Sequence, residues 1–282
     1  MLLSWLEILG SLIIIVLGIV YLIRIIYDHR LGKKIWNIYN EISENKNLEV
    51  KKSLNLLSDW PNIYGEINGK RVYVHPDRGG RKNPAKTIFS VENKIELPSD
   101  LIISKSEANQ PKDTKELEVQ NLKKYNLDIY SKREIDKEQV KDLFSNEVVK
   151  KINKLIERNE EDFRAVILQS GLAMFSTFKI NLDEENILNN IEKFSDIVTD
   201  MEENTSKINE HLKSPRMIKI SEGTKSSYIK GLIPLLLFIV TGYILYQAMQ
   251  DFSLLFLNAA IVIGVVGMVK LYVFLHNELK YQ

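Results

Sequence analysis

Arg78, Arg81 and Lys82 stand close together in Asp77-Arg78-Gly79-Gly80-Arg81-Lys82-Asn83-Pro84. They form a candidate anion loop, because cationic donors clustered on a glycine-rich turn suit phosphate or carboxylate oxygens. A Walker-type loop would need Gly-Lys-Ser/Thr between a strand and a helix. Here Thr87-Ile88-Phe89-Ser90-Val91 reads as another strand, so a solvated hairpin loop is the plainer reading. The acidic run Asp183-Glu184-Glu185 opens a helix, where the macrodipole favours carboxylates, and reads as structural. His29, His75, His211 and His276 share no metal-ligand spacing. The chain has no cysteine, which excludes thiolate nucleophiles, disulfides and Cys-ligated zinc or iron-sulfur sites. G-x-S-x-G, H-E-x-x-H, G-x-G-x-x-G and Walker signatures are also missing from the sequence. The expectation is a protein that is not an enzyme, with no catalytic residue, cofactor or metal assigned.

The elements that must carry these residues are unevenly charged. The 282 residues hold 38 Lys plus Arg and 37 Asp plus Glu, with a mean hydropathy of -0.14. Residues 1–27 contain only Glu7 and Arg24 as charges, and residues 230–282 only Lys230, Asp251, Lys270, Glu278 and Lys280, which leaves 34 basic and 34 acidic side chains in between. Trp5 to Ile26, Gly231 to Met249 and Phe252 to Val269 are apolar runs of about the 20 residues that a membrane-spanning helix needs. The first lacks the basic start of a cleaved signal and is followed by Arg24, Asp28 and Arg30, so it reads as an anchor. The other two, joined by Gln250 and Asp251, read as a helical hairpin. Lys and Arg near a span stay cytoplasmic. Arg24, Arg30, Lys33 and Lys34 follow the first run, and Lys213, Arg216, Lys219, Lys225 and Lys230 precede the second.

The expected fold class is therefore an α+β membrane protein. Transmembrane helices are expected at 1–27, 231–249 and 252–275, a cytosolic α+β domain at 28–212, a basic juxtamembrane linker at 213–230 and a cytosolic tail at 276–282. The expected location is the cell membrane, multi-pass, with the N-terminus outside and the central domain and C-terminus cytoplasmic. The nine basic residues are candidates to meet anionic headgroups, which makes membrane lipid an expected partner. Asn258, the one polar side chain well inside the last run, is placed opposite Tyr243 as an interhelical contact. Nucleic acid is not expected, since the central domain is net neutral and has no basic stripe with stacking aromatics.

Within the domain, Asn68-Gly69 is the dipeptide a two-residue type I′ turn prefers. It sets Ile67 against Lys70, Glu66 against Arg71, Gly65 against Val72, Tyr64 against Tyr73 and Ile63 against Val74. Asp136 and Gln139 open a helical region that divides near Ser145-Asn146. Phe163 to Leu168 and Leu172 to Ile180 read as antiparallel strands. Ile187, Ile191, Phe194, Val198, Met201, Thr205, Ile208 and Leu212 form a heptad stripe on a long helix over about 183–212, opening at Asn181 with Glu184 as a capping partner. Its second half reads as a projecting stalk, a coiled coil that could pair with another copy.

The order of these elements over about 120–200, with Leu127-Asp128-Ile129-Tyr130-Ser131, Leu143-Phe144 and Val148 to Ile156, resembles an uncharacterised family of prokaryotic membrane-anchored proteins. That resemblance implies a cytosolic α+β domain and carries over no site residue. The functional expectation is a binding or scaffolding module with a protein partner or within a homo-oligomer. The alternative is an accessory subunit of a transporter or secretion complex.

Overall fold

The computed structural model describes residues 2–46, 48–52, 60–79, 84–108, 110–214, 236–237, 239–241, 243 and 259–271. The chain divides into two compact units, one of Met1–Lys34, Ser53–Asp59 and Thr224–Gln282, the other of Ile35–Lys52 and Trp60–Gly223.

The second unit is built on a nine-stranded antiparallel sheet. Its strands are β1 (Glu49–Lys52), β2 (Pro61–Ile67), β3 (Lys70–Asp77), β4 (Lys86–Glu92), β5 (Leu101–Lys105), β6 (Lys115–Leu117), β7 (Leu127–Ser131), β8 (Phe163–Gln169) and β9 (Leu172–Thr177). They lie in the order β1-β2-β3-β4-β9-β8-β5-β7-β6. Asn68 and Gly69 both take positive φ, as a type I′ turn demands, and the β2–β3 register is the one that turn dictates, from Ile67 against Lys70 to Ile63 against Val74. Because side chains alternate along a strand, one rung across the sheet reads Val50, Ile63, Val74, Phe89, Phe175, Val166, Ile103, Ile129 and Leu117. Every member is apolar. The next rung faces the other way and reads Glu49, Tyr64, Tyr73, Ser90, Met174, Ile167, Ile102, Tyr130 and Glu116, with acids at both edges. Charged edge strands discourage the pairing of sheets from different molecules.

Among the described residues, helices α2 (Gln120–Lys123), α3 (Lys137–Leu143), α4 (Asn146–Arg158) and α5 (Glu184–Asn204) belong to this unit, as does the end of α1 (Leu2–Lys46) from Ile35 onwards. The apolar rung is covered by α5, whose Phe194 ring lies 6.0 Å from Phe175; Phe175 in turn stacks on Phe89 at 5.4 Å and on Phe163 at 6.0 Å. Helix α3 is capped by the Asp136 carboxylate, which accepts from the Glu138 N–H, and α4 by the Ser145 hydroxyl, which accepts from the Val148 N–H. Between α4 and α5 the buried Asn159 and Asn190 amides donate to each other, both at 3.0 Å, and Asn159 also donates to the Leu155 carbonyl. The end of α1 joins this unit through buried Ile35, Tyr39 and Ile42. Lys46 pairs with Glu192 at 2.6 Å, and the Asn45 amide donates to Glu184 at 2.9 Å.

Several expectations need correction. The long helix starts after the Asp183 N-cap, which accepts from the Asn186 N–H, and it stops at Asn204. Its last turn carries Glu202 and Glu203 with no base, a pattern the helix dipole disfavours. Glu202 instead accepts from the Lys70 ammonium and from the Lys94 N–H. The stripe beyond Met201 is thus no stalk or coiled coil. Ile208 bridges Ile95, the Glu96 N–H donates to the Lys207 carbonyl, and the Asn209 N–H donates to the Lys94 carbonyl, which makes residues 205–214 a strap across the β4–β5 connection.

The membrane spans are overturned as well. Among the described residues no helix is long and apolar enough to cross a membrane. The exposed apolar side chains described on α1 run from Ile13 to Tyr27, after which the helix continues unbroken through charged residues to Lys46. The expected transmembrane helices at 1–27, 231–249 and 252–275, the multi-pass cell-membrane location and the outside N-terminus go with this finding. The hairpin turn at Gln250-Asp251 lies outside the described residues.

Candidate interaction surface

Helix α1 presents two opposed stripes. Gly18, Ile25 and Gly32 are buried at seven-residue intervals, and buried Ile35, Tyr39 and Ile42 follow. At Gly18 the backbone lies so near Val262 that a Cβ would collide with its side chain. Tyr39 carries its hydroxyl inside without a hydrogen-bond partner, and burial, with the Tyr73 phenol beside it, pushes its ionisation far upward. The opposite stripe consists of Ile13, Val16, Val20, Ile23 and Tyr27, which are between 48% and 64% exposed, flanked by exposed Ile19 and Ile26. These side chains recur in steps of three and four, which places them on one helix face. Contiguous apolar surface of this kind marks an interaction site.

The best-developed polar cluster lies at the β6–β7 edge of the sheet. Lys123 of α2 bridges the Glu116 and Asp128 carboxylates, at 2.6 Å to Asp128, and the Tyr130 hydroxyl donates to Asp128 at 3.4 Å. Burial would raise the Asp128 carboxyl, but the Lys123 ammonium and the Ser106 hydroxyl outweigh it and hold it below the usual carboxylate range. The same contacts raise Lys123, first through Asp128 and then through Glu116. Burial and the Asp128 charge raise Tyr130. A general base needs an available lone pair near neutral pH, and this arrangement removes it from Lys123 and Tyr130 alike. Asp128 is ionised but its oxygens are taken. The buried Ser104 hydroxyl, one strand away in register with Asp128, has no hydrogen-bond partner, and no activated base is aimed at it.

The basic loop is described only in part. Arg78 stacks over the Trp60 ring at 4.9 Å, and Asp77 accepts from the Gly79 N–H at 2.9 Å and pairs with Lys86 at 3.3 Å. Arg81 and Lys82 lie outside the described residues, as do Arg216, Lys219, Lys225, Lys230 and Asn258. Arg24, Arg30, Lys33, Lys34 and Lys213 are exposed. Tyr243 is exposed. Near it, a Cβ on Gly264 would come within 3.2 Å of the Thr241 methyl, the close approach that small residues permit between helices. His75 stacks on Tyr73 at 4.9 Å. Among the described residues no group of three or more His, Asp or Glu could hold a metal ion.

Sequence reading missed both the outward stripe of α1 and the Lys123 cluster. Nearly every residue from Ile8 to Ile26 is apolar or small, so no periodicity stands out before burial separates the faces. The cluster joins a strand, a four-residue helix and an edge strand that no motif connects.

No protein-family model matches the chain, and no curated protein matches it. Among solved structures, the chain is similar to the crystal structure of the mycobacterial trehalose monomycolate transport factor A, TtfA, at 11% identity and a TM-score of 0.41, over 60% of this chain and 95% of that one.

Proposed function

We propose that the protein is a non-catalytic binding and scaffolding module that assembles with another polypeptide through the outward stripe of α1. The observation that carries this reading is the stripe itself. Five side chains from Ile13 to Tyr27 stand about half exposed on a helix whose opposite face is already packed. Burying a fully exposed Val, Ile or aromatic side chain contributes about 1.5–3 kcal/mol, and a partner that covers these half-exposed ones gains about half of that from each, towards the cost of association. Charges held in satisfied pairs around Asp128 support the non-catalytic part of the reading.

The test is the mass of the purified full chain under gentle conditions. An assembly heavier than the single 32.7 kDa chain is expected, reduced to a single chain by Ile23→Asp. A wild-type chain that stays single at micromolar concentration overturns the proposal. The accessory-subunit alternative makes a different prediction for the same measurement, namely a different, polytopic polypeptide in fixed ratio.

A further inference from the structure

We infer that Arg164 and Ser104 hold an oxyanion, the carboxylate or phosphate group of a small ligand, at the end of the sheet where β8 starts and β5 and β9 finish. The inference goes beyond the assembly reading and does not depend on it, since every residue involved belongs to the sheet-containing unit.

Three observations carry it. The first is the place of Arg164 in its strand. In the β8–β9 ladder Phe163 pairs with Thr177 and Ala165 with Ser176, so Arg164 is the extra residue of a β-bulge. A bulge leaves its extra residue out of the pairing and re-aims the side chain, and bulges are over-represented next to active sites. Here the guanidinium lies over the Phe178 ring, 5.9 Å from its centre. That ring belongs to a residue 43% exposed, so solvent reaches the rim of the site.

The second observation is an unmet donor. Arg164 Nη1 is buried without a hydrogen-bond partner. A guanidinium stays protonated and has donors but no acceptor, and burying one of its N–H groups unpaired is costly. The acceptors of the α4–β8 connection serve other cations. Lys179 pairs with Asp162 at 2.9 Å, and the Lys105 ammonium donates to the Glu160 carbonyl at 3.0 Å. The Arg164 donor therefore calls for an acceptor from outside the chain.

The third observation is a second unmet group on the neighbouring strand. Ser104 is 5% exposed and its hydroxyl has no partner. On one side it stands in register with Asp128, whose carboxylate already accepts from Lys123, Ser106 and Tyr130. On the other side, one residue beyond the Ile103–Val166 pair, it comes beside Ala165, the residue next to Arg164 in the chain. A guanidinium N–H and a hydroxyl on adjacent strands supply two donors, one of them charged, which suits the paired oxygens of a carboxylate or phosphate. A cation there would meet the guanidinium charge.

The test titrates inorganic phosphate and acetate separately into the purified full chain by calorimetry, with chloride holding the ionic strength constant. Saturable one-to-one binding of at least one of them at millimolar concentration is expected, and the tighter of the two tells a tetrahedral group from a planar one. Arg164→Gln should weaken binding about tenfold or more through loss of a charge-assisted bond, and Phe178→Ala about threefold through loss of the ring under the guanidinium. Lys137→Gln removes the same charge from the first residue of α3 and should leave binding within about twofold, since distant surface charges are screened. No saturable binding of either anion overturns the inference. Equal weakening by Arg164→Gln and Lys137→Gln also overturns it, because that pattern marks general attraction to positive charge. Should Arg164→Gln fail to fold, Arg164→Lys and Phe178→Ala decide, and unchanged affinity in both overturns the site.

Discussion

The two halves of α1 use the same geometry for opposite ends. Both bury one stripe, through Gly18, Ile25 and Gly32 in the first half and Ile35, Tyr39 and Ile42 in the second. Their outward stripes differ in kind. From Ile13 to Tyr27 the outward positions are apolar, whereas Arg30, Lys34, Asn37, Glu41 and Glu44 are polar or charged. A helix whose outer face is meant for water looks like the second half. The contrast within one helix shows that the apolar outer face of the first half is a local feature of residues 13–27, and does not follow from how α1 is built as a whole.

Substitutions that exchange the character of the two halves test that contrast. The largest expected effect comes from Val20→Asp with Ile23→Asp, which gives the first half the surface of the second. Assembly should weaken at least 100-fold, read from the mass distribution against concentration, while the thermal midpoint of the sheet-containing unit stays unchanged. A midpoint that falls as well would mean that this stripe supports the fold. Ile42→Ala probes the inner stripe of the second half and should cost about 2–5 kcal/mol in urea unfolding, with assembly unchanged.

Away from α1, Asp128→Asn asks whether the saturated cluster stabilises the fold. Asp128 is held below its unfolded ionisation range, so its contribution is full above that range and is lost as pH falls through the folded value. The wild-type protein should therefore lose on the order of 1 kcal/mol below about pH 4 that the Asn variant never has. Parallel acid limbs in the two urea titrations would count against this. The smallest effect belongs to Lys34→Ala, an outward residue in the polar half, at about 0.5 kcal/mol or less and with no change in assembly. A marked gain in assembly there would extend the stripe beyond Tyr27.

How far the sequence discloses the molecule depends on whether a local rule decides the structure. The two-residue turn at Asn68-Gly69 admits one register, so the whole β2–β3 pairing is readable in advance. The division of α3 from α4 is readable for a similar reason, because Ser145 is a good N-cap standing inside an apolar pattern. Strands β1 and β6, with sequences Glu-Val-Lys-Lys and Lys-Glu-Leu, have no alternation to read and exist through their neighbours. The end of α5 was hidden by coincidence. Thr205, Ile208 and Leu212 keep the helical spacing of the preceding residues, yet the backbone there is satisfied by Lys94 and Glu96. The candidate surface was hidden by uniformity, since a run that is apolar on all sides carries no phase.

The paired amides of Asn159 and Asn190 have a consequence for how this fold chooses among its neighbours. Apolar ridges on α4 and α5 could interlock after a slip of one turn with little change in contact area. Such a slip would break the reciprocal pair and leave each amide only the bond within its own helical segment, Asn159 to the Leu155 carbonyl and Asn190 to Asn186, and each buried amide oxygen left without a donor costs about 1–3 kcal/mol. The pair thus works as a buried index mark beside the Lys151–Asp200 pair that also joins the two helices, and its protons should be among the last in the molecule to exchange with solvent.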